Sequence, residues 1–190
     1  MAILLSTKPE WVAKICHEVG RTKDNIPIYE KRIEVRKGKP DKLPCKVYIY
    51  CNKSDKNIVN KDWSGKVVGE FICDKVYSIK NRGFCFSVAT EGESITDEIA
   101  RQSCLDYDDM VSYLGNKDGY GLHITDLKIY DKPKELSDFI SPSKVKKCVD
   151  YCINGICSNL GYEELCGAIR RCEYKKLTRP PQSWQYINEL

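Results

Sequence analysis

The chain has 190 residues, of which 42% are hydrophobic, which fits one folded domain with at most a small appendage and argues against wholesale disorder. Its 31 basic and 27 acidic residues leave a net charge of +4, which permits a nucleic-acid partner without requiring one. The longest apolar run near the start is far too short for a signal peptide or a membrane span, so we expect a soluble cytoplasmic protein without a membrane partner.

In chain order, a short buried strand at "AILLS" is followed by an amphipathic helix over residues 9–19, which Gly20 closes. Thr7 stands three residues before Glu10, the spacing of a capping box. Alternating or apolar runs predict strands over residues 28–37, 46–51, 65–79 and 119–133, with a long loop over 80–95 and two short helices in between. This order predicts an α+β domain, most simply a small curled sheet or β-barrel flanked by helices.

The stretch "KRIEVRKGKP" alternates charged and branched apolar side chains. In a strand, Arg32, Glu34 and Arg36 share one face and the apolar residues share the other, while Lys31 falls on the turn that enters the strand. One interpretation is a solvated sheet edge with a ladder of ion pairs. The other is the charged wall of a cleft, in which Lys31 and Arg36 hold an anion or a base edge and Glu34 orients them.

Glu70 is a carboxylate inside a strand that is apolar on both sides, "KVVGEFICDKV". By period two it shares a face with Val68 and Ile72, where it needs a partner or a raised pKa because burial disfavours the charged form. We expect its partner to be Lys31 or Arg36. Glu70 is either a general acid/base or one half of a structural ion pair.

Five of the eleven cysteines crowd into 25 residues near the C-terminus. Four of them predict a structural zinc site, closed to catalysis because all its ligands are thiolates, with unliganded thiols or disulfides as the alternatives. The candidates are Cys148, Cys152, Cys157, Cys166 and Cys172. No organic cofactor is predicted.

The last segment, "RPPQSWQYI", adds Arg179 and Trp184. Two prolines favour an extended chain, and the indole of Trp184 either stacks on a base or closes the core. His123 is interpreted as a hydrogen-bonded structural histidine.

These stretches together resemble the ASCH family, the activating-signal-cointegrator homology domains of the PUA-like fold, and in particular its prophage-type members. Lys31, Glu34 and Arg36 occupy three fixed positions of the family signature Gly-x-Lys-x-x-Glu-x-Arg, and Tyr29 stands at the glycine. The match favours the cleft wall over the solvated edge. Further stretches that carry the resemblance are "ILLSTKPEW", "KVYIYC", "CLDYDDM" and "YGLHITDLKIYDKPKELSDF".

The resemblance implies a PUA-like β-barrel domain over residues 1–140 and 176–190, with the Cys-rich insert at 141–175 before the last strand. It implies a module that binds RNA or a modified nucleoside through Lys31, Glu34, Arg36, Arg179 and Trp184. The alternative is a small hydrolase, either a ribonuclease or an amidohydrolase that deacylates acylated cytidine with Lys31, Glu34 and Glu70. Glu34 stands where those amidohydrolases carry threonine, which argues against simple transfer of their activity.

Overall fold

Strands and three α-helices make up the part of the chain that the computed structural model describes, namely residues 2–54, 60–81, 86–90, 93–94, 96–141, 152–153, 156–157 and 177–189. The three helices are α1 (Pro9–Cys16), α2 (Thr96–Ser103) and α3 (Tyr107–Leu114). The strands are β1 (Ala2–Thr7), β2 (Glu18–Arg21), β3 (Pro27–Tyr29), β4 (Ile33–Arg36), β5 (Cys45–Cys51), β6 (Val67–Cys73), β7 (Val76–Asn81), β8 (Phe86–Thr90), β9 (Glu93–Ser94), β10 (Gly119–His123), β11 (Thr125–Lys134), β12 (Phe139–Ile140), β13 (Cys152–Ile153), β14 (Ile156–Cys157) and β15 (Trp184–Glu189).

Two larger sheets organise these strands. One has six strands in the order β11-β6-β5-β1-β15-β12, and the other has five in the order β4-β10-β7-β8-β9. In the first, β1 runs parallel to β5 and antiparallel to β15, so the last strand returns to the first. The predicted α+β class is confirmed.

The main core is shared by β1, β5, β6 and α1, with Ile3, Ile15 and Phe71 fully buried. Burial of such a side chain stabilises the fold by about 1.5–3 kcal/mol each. A second core packs α2 and α3 against β4 through Ile33 and Val35. The apolar face of β4 is therefore committed to the helices, as the alternation predicts.

Two local predictions are wrong. The first helix ends at Cys16 rather than Val19, because the chain turns at once into β2. Thr7 belongs to β1 and caps nothing: the residue before the helix is Lys8, without a side-chain capping bond, and the Thr7 hydroxyl instead accepts a hydrogen bond from Arg36.

The region predicted as a loop over 80–95 contains the end of β7 and strands β8 and β9. Of the helices within the described ranges, none has the length and apolarity needed to cross a lipid bilayer.

Candidate functional site

A cavity of about 320 Å³ lies beside β4. Its wall is formed by residues from the end of β1, the start of α1, the approach to β4 and the strand itself, helix α3 and the segment before β15. Charged, amide and aromatic side chains predominate among them: Lys8, Trp11, Lys31, Glu34, Arg36, Asn52, Asp109, Tyr113 and Gln182.

Glu34 bridges two cations at the floor of this cavity. Its Oε1 lies 2.7 Å from Nη2 of Arg36, and its Oε2 lies 3.4 Å from Nζ of Lys31. The three side chains are only 2% (Lys31), 6% (Glu34) and 8% (Arg36) exposed. Glu34 and Arg36 share a face of β4 because side chains two residues apart in a strand point the same way. Both residues line the cavity, and Lys31 lies within ion-pair distance of Glu34.

Lys31 reaches the same cavity from outside the strand. Its ammonium donates a hydrogen bond to the carbonyl of Ser103 and lies 4.9 Å from the centre of the Trp11 ring. Ser103 is the last residue of α2, where unpaired carbonyls favour a positive charge. A helix end, an aromatic face and a carboxylate thus offset the cost of burying this lysine.

The same nitrogen of Arg36, Nη2, also donates a hydrogen bond of 2.9 Å to the hydroxyl of Thr7. Within the described residues, the buried Nε of Arg36 and Oγ of Ser6 have no hydrogen-bond partner, and Oε2 of Glu34 has only its ion pair with Lys31. All three belong to side chains that line the cavity. A buried polar atom without a partner costs roughly 1–3 kcal/mol, so a ligand that supplied partners would recover this free energy.

Arg32 does not share the face of Glu34 and Arg36, contrary to the sequence prediction. Strand β4 begins only at Ile33, and the Arg32 side chain is exposed. Its backbone N–H donates to the carbonyl of Gln102 and its carbonyl accepts from Ile124, so residue 32 ties the strand to its neighbours instead of extending the alternation.

Glu70 lies away from the cleft, so the expected pairing with Lys31 or Arg36 is wrong. Its carboxylate lies 3.2 Å from Nζ of Lys46 and accepts a hydrogen bond of 2.5 Å from the hydroxyl of Tyr130. These partners belong to β5 and β11, the strands on either side of β6 in the six-stranded sheet.

A β-bulge explains the error. The register of β6 with β5 shifts between Ile49 and Tyr50, which leaves Val68 as an extra residue. Val68 therefore packs into the main core, while Glu70 lies opposite Tyr48 on the other face of the sheet. A strict period of two had put Val68 and Glu70 on one face.

The electrostatics of Glu70 fit a paired carboxylate. Partial burial acts to raise its pKa, but the hydrogen bonds from Tyr130 and Lys46, with the charges of Lys46 and Lys128, outweigh burial and hold the pKa below its usual value. A general acid at neutral pH needs the opposite shift.

The segment "RPPQSWQYI" contributes a different residue to the cavity from the two that were predicted. Arg179 is exposed and Trp184 packs edge-to-face on Tyr186, with ring centres 5.5 Å apart, and neither lines the cavity. Gln182, from the same segment, does line it. His123 pairs with Asp74 at 2.8 Å, in keeping with a structural histidine.

Sequence reasoning missed the cavity residues of two helices. Trp11 of α1 and Asp109 and Tyr113 of α3 line the cavity, but none of the three is among the predicted site residues. Asp109 and Tyr113 are four residues apart, the spacing of one helix face, and this signal could have indicated a shared surface.

The predicted zinc ligands fall largely outside the described residues. This holds for Cys148, Cys166 and Cys172, whereas the backbones of Cys152 and Cys157 form opposed positions of the β13–β14 hairpin. Among the residues whose side chains the structure describes, no group of three or more His, Cys, Asp or Glu residues could hold a metal ion.

No family model and no curated protein matches the sequence. The structure does resemble that of the ASCH protein of Zymomonas mobilis, with a TM-score of 0.52 and 13% identity over 98% of this chain and 87% of that one. The chain has the ASCH fold. Two variants of the same protein, one with a Tyr→Phe and one with a Ser→Ala substitution, give TM-scores of 0.51 and 0.52 at 12% identity over 98% of this chain and over 90% and 88% of theirs. At this identity the likeness concerns the fold alone.

Proposed function

We propose that this chain is a member of the ASCH family and binds RNA or a modified nucleoside in the cavity beside β4. The observation that carries the proposal is the nearly buried cluster of Lys31, Glu34 and Arg36 at the cavity floor. Two cations against one carboxylate leave an excess of positive charge there, and buried charge is costly unless it is compensated. An electron-rich or anionic ligand would supply that compensation.

The hydrogen-bonding inventory of the cluster suits a nucleobase. Arg36 carries an N–H donor without a partner, and Glu34 an oxygen that accepts no hydrogen bond from the described residues. A base edge that presents an acceptor beside a donor complements this pair, since Arg reads base acceptors and Glu reads amino groups. The proposed role of Glu34 is therefore to orient both cations and to receive a ligand N–H group.

The size and walls of the cavity support the same ligand class. About 320 Å³ falls at the small end of the range for ligand pockets, about 300–1,000 Å³. Trp11 and Tyr113 add aromatic area to its lining, and aromatic side chains stack on unpaired bases.

The enzymatic alternative is a hydrolase of acylated cytidine or RNA. Lys31 and Glu34 line the cavity, but Glu70 does not, so the combination of all three predicted catalytic residues in one site has no geometric support. The feature that favours a hydrolase is Asp109, a second carboxylate that lines the same cavity. Release of the acyl group from acylated cytidine, lost on Lys31→Met, would support this alternative.

The test of binding is a comparison of two lysine variants. Lys31→Met removes the excess charge from the cavity but leaves the Glu34–Arg36 pair, so we expect affinity for single-stranded RNA or a modified cytidine to fall about tenfold or more. Lys46→Met is the matched control, because this lysine pairs with Glu70 away from the cavity. The affinity of each variant for RNA is measured by titration of a fluorescein-labelled RNA, and its affinity for the nucleosides by calorimetry. Each measurement is repeated at several salt concentrations.

The proposal is overturned if the parent protein binds neither RNA nor nucleosides. An equal loss of affinity in both variants would also overturn it, since binding would then not depend on the cavity. Thermal unfolding of each variant shows that a loss of affinity does not come from a loss of folded protein.

A further inference from the structure

Cys45 and Cys73 face each other across two paired strands. Cys45 is the first residue of β5, Cys73 is the last residue of β6, and they are direct partners in the antiparallel register. Both side chains belong to the main core, with exposures of 7% and 0%. Residues opposite each other in an antiparallel pair have Cα atoms about 4.5–5.5 Å apart, which lies inside the range of about 4.4–6.8 Å that a disulfide spans.

The two side chains also interact electrostatically. The interaction with the Cys73 side chain is the main cause that holds the pKa of Cys45 below its usual value. The same interaction raises the pKa of Cys73, whose thiol donates a hydrogen bond to the carbonyl of Lys75 at 3.5 Å. Cys45 is thus the sulfur that forms a thiolate more readily, and the thiolate is the reactive species.

We propose that Cys45 and Cys73 form a reversible disulfide under oxidising stress, with hydrogen peroxide as the oxidant. The Cys45 thiolate attacks one peroxide oxygen, the O–O bond breaks, and Cys45 becomes a sulfenic acid with release of hydroxide. The Cys73 sulfur then attacks the Cys45 sulfur, the S–O bond breaks and a second oxygen leaves as water. Two thiols lose two protons and two electrons in total. The hydroxide takes up one of these protons, and one peroxide becomes two waters.

The burial of the pair selects the class of oxidant. A small neutral peroxide can reach a sulfur at the end of a strand during local opening, whereas glutathione disulfide must place a tripeptide against a side chain that is 7% exposed. In a reducing cytosol the pair therefore stays as two thiols and oxidises only when peroxide rises.

The Cys45–Cys73 disulfide would change the stability of the fold rather than ligand binding in the cavity. Asn52, which lines the cavity, follows the opposite end of β5, seven residues after Cys45 and about 23 Å away along an extended strand. A disulfide at the far end closes the β5–β6 connection, so we expect the melting temperature to rise by roughly 5–10 °C with ligand affinity unchanged.

The experiment is a non-reducing tryptic map of folded protein treated with peroxide and then blocked with N-ethylmaleimide. Cleavage after lysine releases Cys45 in the peptide of residues 43–46 and Cys73 in that of residues 67–75, each with a single cysteine. We expect the two peptides to be recovered as one cross-linked species that dithiothreitol separates. Cys73→Ala should abolish both the species and the rise in melting temperature.

Cys16 and Cys51 provide the matched control. Cys51 belongs to the main core and Cys16 packs against it, but Cys16 belongs to a helix and is not opposite Cys51 in a strand pair. Their peptides, residues 15–21 and 47–53, should stay separate. The proposal is overturned if peptides 43–46 and 67–75 stay separate after peroxide treatment, or if they join only when the protein is unfolded in guanidinium.

Discussion

At the scale of single residues, the candidate site depends on Glu34. It is the one carboxylate in the buried cluster and lies between two cations that would otherwise repel each other. Glu34→Gln keeps the shape and removes the charge, so two buried cations lose their compensation. We expect the free energy of unfolding to fall by roughly 3–5 kcal/mol, the cost of breaking a buried pair, as measured by urea denaturation.

A suitable control is Glu98→Gln. Glu98 pairs with Arg101 on the exposed surface of α2, where ion pairs contribute little. Its urea midpoint should match that of the parent. If Glu34→Gln is as stable as the parent, the cluster does not have the buried electrostatics described above.

Glu70 gives a second prediction at this scale, through the pH dependence of stability. Its pKa is lower in the folded protein than the ordinary value of 4.5, so its ionised form stabilises the fold. This contribution is fully present above the unfolded pKa and is lost as the pH falls through the folded pKa. We expect Glu70→Gln to flatten the fall in stability below a pH of about 4.5, in urea melts across the acid range.

The same variant separates the two roles that the sequence left open for Glu70. Because Lys46 and Tyr130 hold it outside the cavity, Glu70→Gln should leave affinity for RNA and nucleosides unchanged. A loss of affinity or of turnover by a factor of about 10² would contradict its assignment as a structural carboxylate.

At the scale of elements, β4 and β6 show what periodicity can and cannot predict. In β4 the alternation correctly separates Glu34 and Arg36 from Ile33 and Val35, because a regular strand keeps its period of two. In β6 one extra residue at Val68 breaks the period, and the sequence carries no local signal that distinguishes this bulge from a regular strand. The partner of Glu70 could therefore not be predicted.

Contacts between distant elements were also beyond sequence reasoning. Lys31 meets Ser103 at a separation of 72 residues, and Thr7 meets Arg36 at a separation of 29. Local spacing instead suggested a helix cap for Thr7 and a turn position for Lys31. The type of the site residues was predictable from their pattern, while their partners follow from the packing of α1 and α2 around the approach to β4.

At the scale of the whole molecule, we predict that residues 141–175 form a Cys-rich insert. Strand β12 ends at Ile140, and the N–H of Leu177 donates to the carbonyl of Phe139, so the two ends of this stretch lie close together. Because its two ends lie close together, such an insert can bind zinc through its own cysteines without a change in the sheet. Within it, Cys152 and Cys157 are direct partners of a two-stranded hairpin, a backbone arrangement compatible with a pair of metal ligands.

We therefore predict one zinc per chain, bound by four of Cys148, Cys152, Cys157, Cys166 and Cys172. Metal analysis of protein purified without added zinc should give a stoichiometry near one, and substitution by cobalt should give the absorption of a tetrahedral thiolate site. Cys157→Ser should lower the zinc content, while Cys51→Ser, in the main core, should leave it unchanged. Sub-stoichiometric metal together with freely titrating thiols in the insert would falsify the prediction, and the cysteines would then be unliganded.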